Sequence, residues 1–189
     1  MINETGYWNK EVAPSWHAHS KELNDWLIDY LKDNKDETII DFGCGMATYL
    51  ENFYKNGFKK LIGLEGDPVK TDFEFEVLTQ NLAQEFNLNK KGIVISLEVG
   101  EHIPQQYQDT FLNNLDRHCK DLLIVSWAIR GQGGVGHFNE LNNDEIIPEI
   151  EKRGFKLMDE DTKSIRECIK TDCFYFQNTL MVFKRQKND

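Results

Sequence analysis

Ile39-Ile40-Asp41-Phe42-Gly43-Cys44-Gly45-Met46-Ala47-Thr48 is the stretch on which the fold turns. An apolar, β-branched run ends in a carboxylate and passes into two glycines one residue apart, where the backbone must turn tightly and lie close to a ligand. Behind the turn, Tyr49, Leu50, Phe53 and Tyr54 recur at helical spacing and stop at Gly57. The next run, Leu61-Ile62-Gly63-Leu64-Glu65, is a strand that closes on an acid, the residue type that accepts hydrogen bonds from both hydroxyls of a ribose. Strand, glycine turn, helix, strand and acid, in that order, describe a nucleoside pocket at the carboxyl edge of a parallel sheet.

Upstream of this unit, Leu23, Trp26, Leu27, Tyr30 and Leu31 form one amphipathic helix behind Ser20 as N-cap. Downstream, Ile93 to Leu97 and Leu122 to Val125 read as buried strands, with Phe111, Leu112 and Leu115 on a helix between them. A further helix is expected over 143–153, with Gly154 as its stop and Pro148 disturbing its start. Phe155 to Leu157 and Thr179 to Phe183 then read as closing strands. Alternating strands and helices imply an α/β domain with a sheet covered on both faces. The connection from Gly66 to Asp72 is too short for an ordinary crossover helix, which is expected to shrink to a turn.

A chain of 189 residues, 40% hydrophobic and 29% charged, can bury one core and little more, so a single domain is expected. The formal net charge of −10 argues against holding a polyanion by general electrostatics, which makes nucleic acid an unlikely partner. No run approaches the roughly 18 apolar residues of a membrane span, and Met1-Ile2-Asn3-Glu4 lacks the parts of an export signal. The expectation is a cytoplasmic protein without a membrane partner. Cys44, Cys119, Cys168 and Cys173 contain no CxxC pair, so reduced, packed thiols are expected rather than a zinc ribbon.

A dinucleotide fingerprint wants a third glycine where Thr48 stands, so the turn disfavours NAD. Ile-Ile-Asp-Phe-Gly-Cys-Gly resembles the first motif of the class I S-adenosylmethionine-dependent methyltransferases. Ile95-Ser96-Leu97-Glu98-Val99-Gly100-Glu101-His102-Ile103-Pro104 resembles their fourth. The likeness implies a doubly wound, Rossmann-like sheet of seven strands, mostly parallel with an antiparallel last strand. It also implies a helical lid over 1–36 belonging to the same domain as the body at 37–189. S-adenosylmethionine would be the cofactor: Asp41, Gly43, Cys44 and Gly45 around its methionine and ribose parts, Glu65 and Gly66 at the ribose. Asn81 and Leu82 would meet the adenine, and Leu97 and Glu98 would complete the pocket. Two positions depart from the family, which more often has Asp at Asn81 and glycine at Ala47.

Methyl transfer from a sulfonium is an in-line displacement, so the protein must align, exclude water and, for a hydroxyl acceptor, remove a proton. Histidine suits that last role, and His102 and His137 fall where strand ends face the pocket. His118, at the end of an amphipathic helix, is expected at the surface, and His17 and His19 in the lid. The loop Ser126 to Asn139, with Gly131, Gly133, Gly134 and Gly136 around Gln132, reads as a mobile acceptor-binding loop. Trp127, Gln132 and Asn139 are its expected contacts. A comparable Trp, Gly-Gln and Gly-His-x-Asn pattern in glycan-cluster methyltransferases points to a sugar or other small hydroxyl as acceptor.

No metal is the favoured expectation, since metal-free relatives carry the same Glu-His-Ile ending with Glu101 and His102 as helix start and structural hydrogen-bond partners. The same residues also resemble a second arrangement. Glu98, Glu101 and His102, followed by His137, are similar to the divalent-metal set of small-RNA 2′-O-methyltransferases and some quinone-ring O-methyltransferases. The acidic composition favours a small hydroxyl or phenol over an RNA end in that case. A cofactor-binding module without catalysis and a nicotinamide-dependent oxidoreductase are two other uses of such a sheet.

Overall fold

The structure is a computed structural model and describes residues 4–6, 17–68 and 70–186. Seven strands form one sheet: β1 (Thr38–Phe42), β2 (Lys60–Glu65), β3 (Glu76–Thr79), β4 (Gly92–Ser96), β5 (Cys119–Ser126), β6 (Phe155–Leu157) and β7 (Leu180–Arg185). Their order across the sheet is β3-β2-β1-β4-β5-β7-β6. Pairs β1/β2, β1/β4, β2/β3 and β4/β5 are parallel, while β7 runs against both β5 and β6. The expected doubly wound α/β sheet with an antiparallel last strand is therefore present.

Alternation along each strand splits the core in two. Ile40, Phe42, Val94, Leu123 and Val125 face α3 (Gln108–His118) and α4 (Asn143–Glu151), which bury Phe111, Leu115, Ile146 and Ile150 there. Ile39, Leu61, Ile93, Ile95 and Ile124 face the other way, toward α1 (Lys21–Tyr30), α2 (Thr48–Lys55), α5 (Asp159–Glu167) and α6 (Phe176–Thr179). Ser20 caps α1 as expected, its Oγ accepting from the Leu23 N–H at 3.1 Å. Leu23, Leu27 and Leu31 are fully buried, so α1 is seated in this core. Of the expected lid, 1–3 and 7–16 lie outside the described residues; 17–19, just before α1, reach the cavity described below.

Between β2 and β3 the described residues form no helix, as the short connection implied. Aromatic packing covers the gap, with the Phe73 ring 5.6 Å from that of Tyr54 and 6.1 Å from that of Phe75. The segment from β3 to β4 is also without helix and is held by polar groups of α3. Asn114 Nδ2 donates to the carbonyls of Leu82 and Gln84, and His118 Nε2 accepts from the Leu88 N–H at 3.0 Å. His118, expected at the surface, is therefore fully buried, because it satisfies backbone that no helix satisfies.

Asn142 is the N-cap of α4, where a capping box with Glu145 secures the first turn, and the helix continues through Pro148 to Glu151.

Candidate functional site

Where the strand order reverses between β1 and β4, the carboxyl ends of β1, β2 and β4 open onto a cavity of about 530 Å³. That volume lies within the range of small-molecule sites. The glycine turn forms its floor. Gly43 and Gly45 have φ of 77° and 53°, and a Cβ on Gly43 would stand 2.5 Å from the Val99 side chain, so glycine is required on both counts. Ala47, where the resemblance favours glycine, adopts the same left-handed conformation at φ 59° as the N-cap of α2.

Glu65 is 7% exposed and lines the cavity. Its Oε2 accepts from the Gly45 N–H at 2.9 Å and its Oε1 from the Gly66 N–H at 2.8 Å. Each oxygen retains a lone pair, so the carboxylate is oriented by the backbone and still able to accept from a diol. Burial raises its pKa, and the two N–H groups oppose that rise. Asp41 is buried at the end of β1, and burial, then the charge of Glu65, pushes its pKa from 3.8 to about 7. The folded state thus keeps a proton that the unfolded state loses between about pH 4 and 7, and stability falls as pH rises through that window. Asp41→Asn is expected to remove this loss, so its melting temperature relative to the parent should climb from pH 4 to pH 7. A pH-independent difference in thermal melts would contradict it.

Of the residues expected to hold a cofactor, Asp41, Gly43, Cys44, Gly45, Glu65, Gly66, Asn81, Leu82, Leu97 and Glu98 all line this one cavity. The Asn81 side chain is turned partly to its own surroundings, Nδ2 donating to Thr5 Oγ1 at 3.1 Å and Oδ1 accepting from the Ala83 N–H at 3.0 Å. Glu98 takes φ 53°, unusual for a branchless acid in a loop. Its N–H donates to Ser126 Oγ at 2.7 Å, and its Oε2 accepts from Gln132 Nε2 at 2.6 Å. Gln132, expected as an acceptor contact, lines the cavity and ties the glycine-rich loop to its wall through Glu98.

The other two expected acceptor contacts are corrected. Trp127 is fully buried, donating its indole N–H to the Asn139 carbonyl at 2.7 Å, and neither residue lines the cavity. Asn139 is 5% exposed and its Nδ2 donates to Gln108 Oε1. Together they brace the base of the loop, and a Cβ on Gly100 would collide with the Trp127 ring. Trp127→Ala is expected to cost about 3–5 kcal/mol of stability, read by denaturant unfolding. A loss below about 1 kcal/mol would return the indole to the acceptor site.

His102 and His137 meet at the cavity wall, their ring centroids 4.9 Å apart. His102 Nδ1 lies 3.0 Å from the Gly136 carbonyl, which can only accept, so the proton sits on Nδ1. Burial drives its pKa down to about 4, leaving a weak base. His137 is oriented differently, its Nδ1 lying 2.9 Å from Glu140 Oε1. Glu140 also accepts from the N–H groups of Gly131 and Gly133, both at 2.7 Å. Burial would raise the Glu140 pKa, but His137 and those two N–H groups bring it below the usual value.

Beside the histidines, Glu101 is completely buried, and its carboxylate is met by backbone N–H groups of its own segment and of Ala128 and by no side-chain donor. Burial first, then the neighbouring charge of Glu98, hold its pKa well above the ordinary value. Ligand-capable atoms of Glu101, His102 and His137 lie within 4.8 Å of one another. Glu98, expected to join such a set, is not in that group, although its Oε1 is also buried and unpartnered.

Sequence reasoning missed Glu140, whose signal was its position three residues from His137. It also missed Tyr49, Tyr175 and Phe176 in the cavity wall; the last two arrive from the far end of the chain with no local motif.

No protein-family model matches the chain, and no curated protein matches it by sequence. Solved structures do match. Magnesium protoporphyrin IX methyltransferase (ChlM) from Synechocystis PCC 6803, crystallised with bound SAH, is similar at 18% identity and TM-score 0.64, over 94% of this chain and 83% of that one. The sugar N-methyltransferase KedS8 from Streptoalloteichus sp. ATCC 53650 is similar at 12% identity and TM-score 0.66, over 88% of each chain. The methyltransferase domain of bacterial CtHen1-C is similar at 17% identity and TM-score 0.62, over 88% of this chain and 98% of that one. The fold is that of the class I methyltransferases.

Proposed function

We propose that the chain is an S-adenosylmethionine-dependent methyltransferase that methylates a small hydroxyl acceptor such as a sugar, with His137 as the base. The observation that carries it is Glu65, a carboxylate aimed by two backbone N–H groups into a cavity at the switch point of a class I sheet. The residues fit the cofactor: an acid for the ribose diol, a glycine floor for close approach, and polar atoms in the cavity left without partners. When bound, S-adenosylmethionine supplies an electrophilic methyl group on a sulfonium.

The chain's own residues do the rest. Glu65 fixes the ribose, and Gly43 and Gly45 allow the tail to lie against the backbone. The loop at 130–138, tied down by Gln132 to Glu98 and by Glu140, shields the site from water. Glu140 holds the His137 ring and stabilises the imidazolium that forms as the ring takes the hydroxyl proton.

A second reading is favoured by Glu101, whose buried carboxylate has no side-chain donor or cation beside it among the described residues. Glu101, His102 and His137 would then hold a divalent cation that acidifies the acceptor directly, with the neutral His102 offering Nε2. The two readings part under chelation. Calorimetry with S-adenosylhomocysteine, followed by transfer of labelled methyl to a panel of sugars and phenols with and without EDTA, tests both. No binding of S-adenosylhomocysteine removes the function; turnover abolished by EDTA and restored by Mg²⁺ or Mn²⁺ selects the metal reading over the His137 base.

A further inference from the structure

Four arginines each meet a carboxylate: Arg117 with Glu85, Arg130 with Glu145, Arg153 with Asp109 and Arg185 with Asp116. Arg166, on α5, does not, although the chain has 32 acidic residues. It is half-buried, and its Nε donates to the Leu180 carbonyl at 2.7 Å, which fixes the plane of the guanidinium. Nη1 and Nη2 have no acceptor among the described residues, and neither is sealed off from solvent. Burial lowers the proton affinity of the group, and no carboxylate opposes that. A cation held in this way carries a desolvation cost that the protein itself leaves unmatched.

Arg166 lines a second cavity, an open groove of about 590 Å³ between α4, β6, α5 and α6. Lys163 and Lys170 line it as well, three residues before and four residues after Arg166, and neither ammonium has a carboxylate partner among the described residues. Thr162 Oγ1 accepts from the Val182 N–H at 3.0 Å, which leaves its own proton to donate. Ile147, Leu157 and Ile169 give the groove an apolar flank. Asp159 and Glu167 also belong to its lining, but both are exposed and neither pairs with Arg166. α6 stands between this groove and the cavity at the strand ends, Phe176 lining the one cavity and Gln177 the other.

The two cavities are opposite in charge. Among the described residues the wall of the first carries Asp41, Glu65, Glu98 and Glu101 and no lysine or arginine, whereas the second gathers three cations without partners. We propose that the groove binds a phosphoryl group, as free phosphate or as the ester of a small organic molecule, with the fork of Arg166 on two oxygens and Lys163 and Lys170 beside it. Three cations suit a dianion better than a single carboxylate, a planar fork suits paired oxygens, and the apolar flank suits the organic part of an ester. With a net charge of −10 the chain has no general attraction for anions, so binding here depends on these side chains. The site stands independently of the cofactor reading above.

Calorimetry on the full chain with phenyl phosphate, inorganic phosphate and phenol tests it. Phenyl phosphate is expected to bind saturably and phenol not to. Arg166→Gln is expected to weaken phenyl phosphate by about tenfold or more, and Arg166→Lys, which keeps the charge and loses the fork, to fall between. Glu65→Ala, in the other cavity, is expected to leave the affinity within about twofold. Inorganic phosphate weaker than phenyl phosphate by about threefold or more makes the ligand an ester, and equal affinity makes it free phosphate. If Arg166→Gln fails to fold, joint replacement by Lys163→Gln and Lys170→Gln, both at exposed positions, carries the comparison, with a loss of about fivefold expected. No saturable binding of either phosphate up to about 10 mM overturns the site, as does affinity unchanged by these replacements. S-adenosylhomocysteine is titrated separately, so failure here and failure of the cofactor reading are distinct results.

Discussion

Replacing Glu65 with alanine is expected to weaken S-adenosylhomocysteine binding by about 100-fold. Two hydrogen bonds from ribose hydroxyls to one carboxylate are worth roughly 2–3 kcal/mol together once exchange with water is counted, and each 1.4 kcal/mol is tenfold in affinity. The same carboxylate also accepts from Gly45 and Gly66, so its removal loosens the glycine turn and adds to the loss. Glu65→Gln keeps the shape and one acceptor oxygen and should fall between the parent and alanine. Calorimetry at one pH and salt concentration measures all three. An affinity for Glu65→Ala within about threefold of the parent would place the ribose elsewhere and remove the basis of the proposed function.

His137→Ala is expected to do the opposite: turnover lower by about 10²–10⁴-fold, cofactor affinity within about twofold. The separation follows from position. Glu65, proposed to take the ribose, sits at the end of β2, whereas His137 stands in the loop after β5, bonded to Glu140 and beside His102. Steady-state kinetics and calorimetry on the same preparation decide it. Loss of affinity equal to that of Glu65→Ala would show that His137 holds the cofactor rather than the acceptor proton.

Much of this was readable in the sequence because the segments concerned are buried on both sides. β1 and β4 are continuous apolar runs under cover from two helical layers, and such runs are hard to mistake. β3 escaped notice because it is an edge strand: Glu76-Val77-Leu78-Thr79 is mostly exposed and shows no apolar pattern. α5 escaped for a related reason, since only Thr162 and Ile165 are buried in a helix that otherwise reads as charged.

At the site, the residues next to the glycine turn and on the strand ends were legible, since motif spacing fixes them relative to the sheet. Direction was the missing information. Nothing in the order of residues says that Trp127 turns inward under Gly100 while Gln132, a few positions on, turns toward Glu98. Nor does it say that His118 is consumed by a backbone N–H of a neighbouring segment. His17 and Tyr175 come from opposite ends of the chain, and only folding makes them neighbours of the same void.

One carboxylate, that of Glu140, grips the imidazole of His137 and two amides of its own loop at once. In the proposed reaction, any displacement of this loop would therefore also free the imidazole from its carboxylate. The placing of the loop and the orientation of the ring thus hang on one side chain.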